Sequence, residues 1–441
     1  ELGKGFSDIP ADPTKLRGKL LIGNITQLNK LLDSNPKLSN LLKTGFSDSE
    51  IDLVSGGPPC QSFSLAGLRK KDCDKNTLPW EFANFVEHVQ PKIVILENVS
   101  GILRAFKENG SSYYAWFEIA KCFAKKNYIP LCLHINARLS GVPQNRPRFI
   151  MLGVRKSIYK RLSRKLNTAE KTLFMPSEKL FNAIQDGQDV NYGTYPYFDA
   201  HKNDEINLFN NSFLHPLVGK KEVSVSQAIG DIRFNTNSQK SNFVKNLNRC
   251  FTEILGKPTK PKNHEPRNNN ELVKRRFRIY QIIQKCKKST SKETFSILKQ
   301  EKNEISDSAW QELRDFEFLS ENGIFMKFSM RHDLVNYLLN HATKKQTQRA
   351  LDASLPAPAA LSIPDDACHY DLNELRNLTV REMARIQSFP DNFQFRSKIT
   401  TGGRMRRYEV PQYTQVGNAV PPIMGAALGE AIKILLEKLN N

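Results

Sequence analysis

Along the first part of the chain, short apolar runs alternate with segments that repeat apolar residues at helical spacing. Strand-like runs occur at residues 19–25 (KLLIGNI), 52–57 (DLVSGG), 91–99 (PKIVILENV) and 147–154 (PRFIMLGV). Helical spacing marks residues 79–89 and 114–125. Strands separated by helices of this length predict βαβ units, in which helices cover both faces of a parallel sheet. The pattern therefore predicts an α/β fold.

The pattern changes near residue 155. Beyond it Asn, Lys and Ser become frequent and strand signals are few, until LPAPAA (355–360) suggests a linker. Regular spacing then returns and ends in an amphipathic helix at residues 425–439 (GAALGEAIKILLEKL). A chain of 441 residues is long enough for two domains.

The excess of positive charge indicates a polyanionic partner. The chain has 65 Lys and Arg against 45 Asp and Glu, a formal net charge of +20, and such an excess attracts polyanions such as nucleic acid. Residues 241–300 hold 15 Lys and Arg against 4 Asp and Glu. Within them, residues 271–285 form a basic helical pattern, which is either a surface that grips the DNA backbone or a solvated helix face. Charge alone does not separate DNA from RNA, or an enzyme from a coating protein.

Cysteine usage and hydropathy argue against a disulfide-bonded, zinc-binding or membrane-spanning protein. The seven cysteines are scattered and form no CxxC pair, which favours free thiols in a reducing compartment over disulfides or a zinc site. No apolar run approaches the roughly 18 residues that cross a bilayer, and the first residues do not look like a signal peptide. We expect an intracellular protein without a bound metal or a membrane partner.

The first segment with a candidate catalytic residue is DLVSGGPPCQSFS (52–64). A strand ends in two glycines, two prolines stiffen the turn, and Cys60 follows. Ligands of open α/β sheets bind beyond the carboxyl ends of strands, so Cys60 is a candidate nucleophile. The alternative is an inert, buried cysteine. The polar and basic residues 67–77 are predicted to be a loop that closes over a substrate, with a plain surface loop as the alternative.

Two further segments carry ionisable groups next to strands. The apolar strand at 91–99 ends in Glu97 and Asn98, and desolvation there would let the carboxyl keep a proton and act as an acid. The alternative is a capping or ion-paired glutamate. In GVPQNRPRFIMLG (141–153), Arg146 and Arg148 flank a proline and face the same side of an extended segment, which suits anion or carbonyl recognition as well as an ordinary surface pair.

Taken together, these segments resemble the ordered motif set of the DNA cytosine-C5 methyltransferase family. The matching motifs are PCQSFS, ENV, QNRPR and QVGNAVPP, supported by NARLSG ahead of QNRPR and by LTVREMARIQSFPDNF (378–393). The resemblance covers roughly residues 19–155 and 370–441. It implies a Rossmann-like S-adenosylmethionine-dependent methyltransferase domain with a second, smaller target recognition domain.

The same resemblance implies an order of domains. Residues 1–155 would form the catalytic domain without its first strand–turn unit. Residues 156–370 would form the target recognition domain, whose Arg, Lys, Asn and Gln side chains are those that read bases and phosphates. Residues 371–441 would return to the catalytic domain and its C-terminal helix.

The catalytic roles also follow from the resemblance. Cys60 would attack C6 of a flipped-out cytosine as a thiolate, and Glu97 would bind the N3/N4 edge and help protonate N3. Arg148, together with Arg146, would hold O2. The carbonyl of Pro58 would contact the exocyclic amine. The other expected substrate contacts are Pro59, Gln61, Ser64, Asn98 and Gln144.

The expected cofactor is S-adenosylmethionine, and its predicted contacts are Asn24, Ile25, Leu78, Asn418 and Ala419. Asn24 departs from the family, which usually has Asp there to accept a hydrogen bond from the adenine amine. The family's opening FxGxGG turn and the acidic residue ending its second strand are also absent. Either the sequence is truncated, which we favour, or a second polypeptide supplies this unit; as printed, the chain should bind the cofactor poorly.

The resulting hypothesis is a bacterial, cytoplasmic DNA-modifying enzyme of a restriction–modification system. Its partners would be double-stranded DNA and, where one exists, a cognate restriction endonuclease. Two alternatives stay open, namely methylation of RNA and an inactive family member that only binds DNA. The large basic segment favours duplex DNA, and the intact Cys60, Glu97 and both arginines favour activity.

Overall fold

The computed structural model describes residues 13–18, 20–47, 49–59, 77–108, 111–235, 238–257, 260–345, 348–359, 362–401 and 408–440. The chain forms two compact units. The first contains Glu1–Ser140, Pro147–Gly219 and Ala427–Asn441, and the second contains Gly141–Arg146 and Lys220–Ala426.

The first unit combines a mixed sheet with helices. Its strands are β1 (Leu53–Gly56), β2 (Ile93–Val99), β3 (Phe106–Glu108), β4 (Ser111–Tyr113), β5 (Tyr128–Asn136), β6 (Pro147–Arg155) and β7 (Phe198–Asp199). Its helices are α1 (Ile25–Ser34), α2 (Pro36–Lys43), α3 (Leu78–Val89), α4 (Ala115–Lys125), α5 (Lys156–Leu162), α6 (Thr168–Gln185) and α7 (Ile206–Asn210).

The main sheet has the strand order β1-β2-β6-β5-β7. β1 is parallel to β2, and β5 is parallel to β7, but β6 is antiparallel to both of its neighbours. The α/β class predicted from the sequence is confirmed, whereas the prediction of a parallel sheet is wrong at β6. The physical reason is the connection: a short 3₁₀ turn, Ala137–Ser140, and a loop join β5 to β6, and a link without a crossover helix returns the chain antiparallel.

Apolar residues of β2, α3, α4, β5 and β6 build the core of this unit. It includes Val86, Leu96, Trp116, Phe123 and Met151, all at most 1% exposed. The strands predicted at 52–57, 91–99 and 147–154 and the helices predicted at 79–89 and 114–125 are confirmed. The strand predicted at 19–25 is wrong over the described residues 20–24: Leu20 is 84% exposed, and α1 begins at Ile25.

The division into units differs from the boundaries inferred from the resemblance. Residues 156–219 belong to the first unit because β7 pairs with β5 and because Leu180 and Tyr195 join the core of that unit. Residues 371–426 belong to the second unit because Val380 and Met383 pack against Val225. The assignment of DNA reading to residues 156–370 stays a prediction.

The second unit is mainly helical. Its helices are α8 (Val225–Ile229), α9 (Asn242–Cys250), α10 (Thr252–Leu255), α11 (Glu271–Lys285), α12 (Lys288–Leu298), α13 (Asp307–Leu313), α14 (Arg331–Asn340), α15 (Val380–Ile386) and α16 (Gln412–Asn418). Its strands form two-residue pairs, β8 (Phe318–Leu319) with β9 (Phe325–Met326) and β10 (Arg349–Ala350) with β11 (Ala367–Cys368). α17 (Pro422–Asn440) begins in this unit and belongs to the first unit from Ala427.

The basic helix α11 lies inside the second unit rather than on its surface. Phe277, Ile279 and Ile282 of this helix are core residues. Arg275 and Arg278 are 9% and 7% exposed, and their Nε atoms donate to His341 Nε2 at 2.9 Å and to the carbonyl of Glu317 at 2.7 Å. The sequence predicted either a DNA-binding face or a solvated helix face, and neither describes these two buried arginines. Their hydrogen bonds stabilise the second unit.

The C-terminal segment bears on the expected absence of a membrane span. Among the described residues, the segment Gln412–Asn440, which spans α16 and α17, is by length and composition long and apolar enough to cross a membrane, and the sequence pattern did not predict this. The core helix of a soluble protein meets the same criteria, and α17 buries Met424, Ala431 and Leu435. One such segment is therefore only weak evidence for a membrane partner.

Candidate active site

The backbone at the end of β1 closely approaches side chains of α3 and β2. β1 and β2 pair from Leu53 opposite Ile93 to Gly56 opposite Leu96. A Cβ atom at Gly56 would come within 2.5 Å of the Phe82 ring, and one at Gly57 within 3.2 Å of Glu97 Oε2. Glycine at both positions therefore lets the backbone approach the aromatic ring and the carboxylate.

Glu97 is held by an ion pair with Arg148. Arg148 Nε lies 2.7 Å from Glu97 Oε1, and the two side chains are 9% and 18% exposed. β6 places the arginine there because Arg148 pairs with Val99, two residues beyond Glu97 on β2. Burial lowers the pKa of Arg148, while the neighbouring carboxylate raises it and offsets part of the shift. An ion-paired glutamate is the alternative that the sequence left open at this position, and the role of Glu97 as an acid stays a prediction.

Asn98 fixes the turn that follows β1. Its side chain is buried, and its Nδ2 donates to the carbonyl oxygen of Pro58 at 3.1 Å. The backbone N–H of Val99 donates to Asn98 Oδ1 at 2.9 Å. The Pro58 carbonyl keeps a second lone pair, so this bond does not prevent it from accepting another donor. Asn98 therefore positions the expected substrate-facing carbonyl.

Several predicted site residues fall outside the described part of the chain. Cys60, Gln61 and Ser64 belong to the stretch 60–76, which also holds most of the loop predicted at 67–77. Pro58 and Pro59 are described and directly precede Cys60 in the sequence. The roles of these residues stay predictions.

A cavity of about 780 Å³ lies at the carboxyl end of β1 in the first unit. Three of the predicted cofactor contacts line it, Asn24, Ile25 and Leu78, together with Pro58 and Pro59. Its remaining lining is Leu21, Gly23, Leu28, Val54, Ser55, Gly56, Gly57, Phe82 and Phe85. The volume falls within the roughly 300–1,000 Å³ that is typical of ligand pockets.

The cavity wall suits a nucleoside-type cofactor. Phe82, Phe85 and Leu28 offer apolar surface for a base ring, and Asn24 and Ser55 add polar groups. Neither phenylalanine was among the site residues predicted from the sequence. They lie three residues apart on α3, so the helical spacing that identified α3 could have indicated their shared face.

Asn24 has a structural role that the sequence analysis did not foresee. It is the N-cap of α1, and its Oδ1 accepts the backbone N–H of Thr26 at 2.8 Å. Capping by Asn or Asp satisfies a backbone donor of the first helical turn. The oxygen predicted to accept from the adenine amine is thus already engaged, although it retains a second acceptor site.

The other predicted site residues lie in the second unit and contact one another. Arg146 is 5% exposed, and its Nη2 donates to the carbonyls of Gly417 at 2.6 Å and Ala419 at 3.2 Å. Asn418 is exposed at the end of α16. These contacts let Arg146 fix the GNA turn at residues 417–419, and its expected contact with O2 stays a prediction.

Gln144 is fully buried, and its Nε2 donates to Pro358 at 3.2 Å. The backbone of Asn145 donates to Ala357 at 2.7 Å, and Ala357 donates to Pro143 at 3.0 Å. The LPAPAA segment is therefore packed at Ala357 rather than being a free linker there. A substrate contact of Gln144 stays a prediction that its burial does not favour.

Comparison with characterised sequences gives relatives over most of the chain. Type II methyltransferase M.DdeI from Desulfomicrobium norvegicum is 27% identical over 395 residues, covering 89% of this chain and 75% of the relative. Type II methyltransferase M.Bpa9945I from Bacillus paralicheniformis is 26% identical over 445 residues, covering 98% and 78%. A solved E. coli prophage protein described as a DNA modification methyltransferase covers 96% of this chain and 89% of its own, at 18% identity and a TM-score of 0.48.

The strand ends, the paired Glu97 and Arg148, and the cavity beside them agree with the motif resemblance. The sequence model of the C-5 cytosine-specific DNA methylases matches residues 22–434, nearly the whole chain. The chain therefore belongs to the C-5 cytosine-specific DNA methylase family, S-adenosylmethionine-dependent enzymes that methylate cytosine at C5.

Proposed function

We propose that this chain methylates one cytosine within a specific duplex DNA sequence and so protects host DNA in a restriction–modification system. The observation that carries the proposal is the Glu97–Arg148 pair, which adjoins the turn leading to Cys60. The two relatives above are type II methyltransferases, which supports the biological role. The net charge of +20 supports a polyanionic substrate.

Cys60 is the proposed nucleophile. Cytosine C5 is not nucleophilic enough to accept a methyl group unaided, so a thiolate first adds to C6 and its electrons move through the ring to C5. After methylation at C5, a base removes the C5 proton and the electron pair returns to expel the thiolate. The thiol is therefore regenerated at each turnover.

Glu97 and Arg148 are proposed to bind the target base. The carboxyl of Glu97 would accept from the N4 amine and, once protonated, would donate to N3 as the ring takes up charge. Two guanidinium nitrogens of Arg148 are engaged by Glu97 and by the carbonyl of Pro147, and the remaining N–H donors would serve O2. Asn98 would hold Pro58 so that its carbonyl meets the exocyclic amine.

The cavity beside β1 is the proposed cofactor site. S-adenosylmethionine, when bound, supplies an electrophilic methyl group. Phe82 and Phe85 would pack against its base, and Ile25 and Leu78 would exclude water. The approach of Asn418 and Ala419 to the cofactor stays part of the proposal.

The target base must leave the duplex before these groups can reach it. Extruding a base costs a few kcal/mol, which protein contacts must offset. Residues 156–370 are proposed to supply contacts to bases and phosphates. The cavity lined by Lys288, Lys292, Lys299 and Arg349 shows that basic side chains cluster there.

A transfer assay tests the proposal against its alternatives. The chain, supplied with the glycine-rich cofactor turn that the family carries, would be incubated with tritiated S-adenosylmethionine and either duplex DNA or RNA. Label in DNA with sensitivity to sequence is expected. Label in RNA alone, or retention of DNA without any label, would replace the proposal by RNA methylation or by DNA binding without catalysis.

The nucleophile is tested separately. Cys60→Ser should abolish transfer and leave DNA binding intact, and Cys60→Gly should bind DNA at least as well because the site gains room. DNA containing 5-fluorocytosine should trap a covalent adduct with the unchanged chain and none with the serine variant. Full turnover on that DNA without an adduct would disprove addition to C6.

The remaining partners are proposals as well. A cognate restriction endonuclease would share the recognition sequence. A second polypeptide that supplies a glycine-rich cofactor turn is part of the proposal, and adding such a unit should increase cofactor affinity. We place the enzyme in the bacterial cytoplasm, where its DNA substrate lies.

A further inference from the structure

Two histidines and an aspartate, none of them assigned a role in methyl transfer, meet at the edge of the main sheet. His134 is on β5, Asp199 ends β7, and His201 follows two residues later. Pairing of β5 with β7 places His134 directly opposite Asp199. The backbone N–H of Ala200 donates to the carbonyl of His134 at 3.0 Å, which fixes the turn that carries His201.

The three side chains converge through one carboxylate. His134 Nδ1 lies 2.9 Å from Asp199 Oδ2, and His201 Nδ1 lies 3.1 Å from Asp199 Oδ1. Their potential ligand atoms all lie within 4.8 Å of one another. Neighbouring ligands of a tetrahedral ion with bonds of about 2.0–2.2 Å are separated by roughly 3.4 Å. The separations of 2.9 and 3.1 Å are within about half an ångström of this value, whereas the 4.8 Å limit exceeds it by about 1.4 Å, so the side chains must rearrange to hold an ion.

The surroundings hold the ligands as a metal site requires. The other ring nitrogen of His134, Nε2, lies 3.1 Å from Ser100 Oγ, and such a partner for the second nitrogen is usual for metal-bound imidazoles. Lys202, the residue after His201, is paired with Glu205 at 2.8 Å, which limits its repulsion of an ion. The side chains of His134 and Asp199 are 17% and 16% exposed and that of His201 is 30% exposed, so an ion has a path from solvent.

We propose that His134, Asp199 and His201 bind a divalent first-row transition metal of the Zn²⁺ type, with solvent completing its coordination. Two imidazoles and one carboxylate match the ligand preference of such ions and offer no selectivity for Mg²⁺ or Ca²⁺. The ion takes the place of the proton between His134 and Asp199. His134 then carries its proton on Nε2, where it donates to Ser100.

The consequence is structural. Ser100 follows directly after β2, the strand that carries Glu97 and Asn98, so the ion links the outer strand β7 to the end of the strand bearing the proposed catalytic acid. The sequence predicts no metal site, because its scattered cysteines form no CxxC pair. A site assembled from residues 134, 199 and 201 across a strand pairing has no compact motif.

Metal titration of the full chain, without DNA or cofactor, tests the proposal independently of methyl transfer. The chain is first stripped with a chelator and then titrated with Co²⁺, followed by its visible absorption, and with Zn²⁺ in competition with a chromophoric chelator. One equivalent should bind with a spectrum of nitrogen and oxygen ligands. A strong thiolate-to-cobalt charge-transfer band would assign binding to cysteines and overturn the proposal.

Variants then locate the ion. His201→Ala, at the most exposed ligand, should lose the equivalent, and Ser100→Ala should weaken binding about tenfold through the loss of the supporting hydrogen bond. His332→Ala, which removes a histidine that is 65% exposed elsewhere, is the matched control and should bind as the unchanged chain does. Zn²⁺ should raise the melting temperature of the unchanged chain and not that of His201→Ala. Equal affinity in the two histidine variants, or no bound ion, would reduce the cluster to a hydrogen-bonded contact and refute the proposal.

Discussion

Replacing Arg148 with methionine removes the partner of Glu97 while keeping most of the buried volume. At the observed N···O distance of 2.7 Å, unit charges attract by about 6 kcal/mol at an effective dielectric constant of about 20. Desolvation of both groups cancels much of this attraction in the folded protein. The substitution leaves the carboxylate with only 18% exposure and no cation. We therefore expect a loss of about 3 kcal/mol in the free energy of unfolding, the lower end for breaking a buried pair.

Urea unfolding of a double-mutant cycle measures the pair itself. Glu97→Gln alone leaves a buried guanidinium without its anion and should also destabilise the protein. The combined variant should lose less than the sum of the two losses, with a coupling of about 1–3 kcal/mol for residues in direct contact. Arg155→Met is the matched control on the same strand: Arg155 is 16% exposed, but its partner Glu50 is 53% exposed, so removing the arginine leaves a solvated carboxylate. That change should cost no more than about 1 kcal/mol.

The activity of the same variants separates stability from chemistry. Arg148→Met should lower methyl transfer by about 100-fold or more at a temperature where it stays folded, as loss of a charge-stabilising donor does. Arg155→Met should keep its rate. Additive losses in the cycle, or equal destabilisation by the two arginine substitutions, would refute the argument that burial makes the Arg148 pair special.

Three further substitutions test other parts of the structure. Gly56→Ala drives a Cβ to within 2.5 Å of the Phe82 ring, so it should cost about 1–3 kcal/mol in urea unfolding and weaken cofactor binding in calorimetry, with partial recovery when Phe82 becomes leucine. Arg146→Lys loses the paired donation to the GNA turn at Ala419 and should raise KM for S-adenosylmethionine more than it changes DNA affinity. Burial favours the neutral form of Asp391, but hydrogen bonds from arginine, asparagine and lysine outweigh it and hold its pKa below the usual value. Its stabilisation is complete above the unfolded pKa of about 3.9 and disappears as the pH falls through the lower folded value, so Asp391→Asn should destabilise the protein at pH 7 and have little effect in acid.

Each of these predictions has an outcome that contradicts it. An unchanged midpoint for Gly56→Ala would mean that the ring moves without cost. If Arg146→Lys weakened only DNA binding and left KM for S-adenosylmethionine unchanged, the result would support a contact between Arg146 and the substrate instead. A destabilisation by Asp391→Asn that is constant from neutral to acid pH would show that charge on this side chain contributes nothing.

Patterns between sequence neighbours were sufficient to predict the strands and the helix that position the candidate active site. The apolar run ending in Glu97 could only be a strand, and the Gly-Gly-Pro-Pro turn before Cys60 marked a strand end with a close approach. The helical face of α3 was also identified from spacing. These features depend on neighbours in sequence, because strand and helix periodicity place successive side chains on fixed faces.

Long-range contacts account for the features that the patterns missed. The antiparallel direction of β6 depends on a short connection whose path no periodicity records. The arginines of α11 look like a solvated basic face in the sequence, but carbonyl groups more than thirty residues away accept their hydrogen bonds inside the second unit. Residues 20–24 have the composition of a strand, yet no described strand pairs with them.

The sequence by itself determined the α/β class and the family motifs around Cys60 and Glu97, whose catalytic roles stay proposals, because ordered motifs and strand ends are local properties of the chain. Only the tertiary structure decided that Glu97 is paired with Arg148, that Arg146 and Gln144 bind backbone carbonyls, and that His134, Asp199 and His201 meet. Such partnerships arise from strand pairing and packing between distant segments, where burial forces each polar group to find a partner.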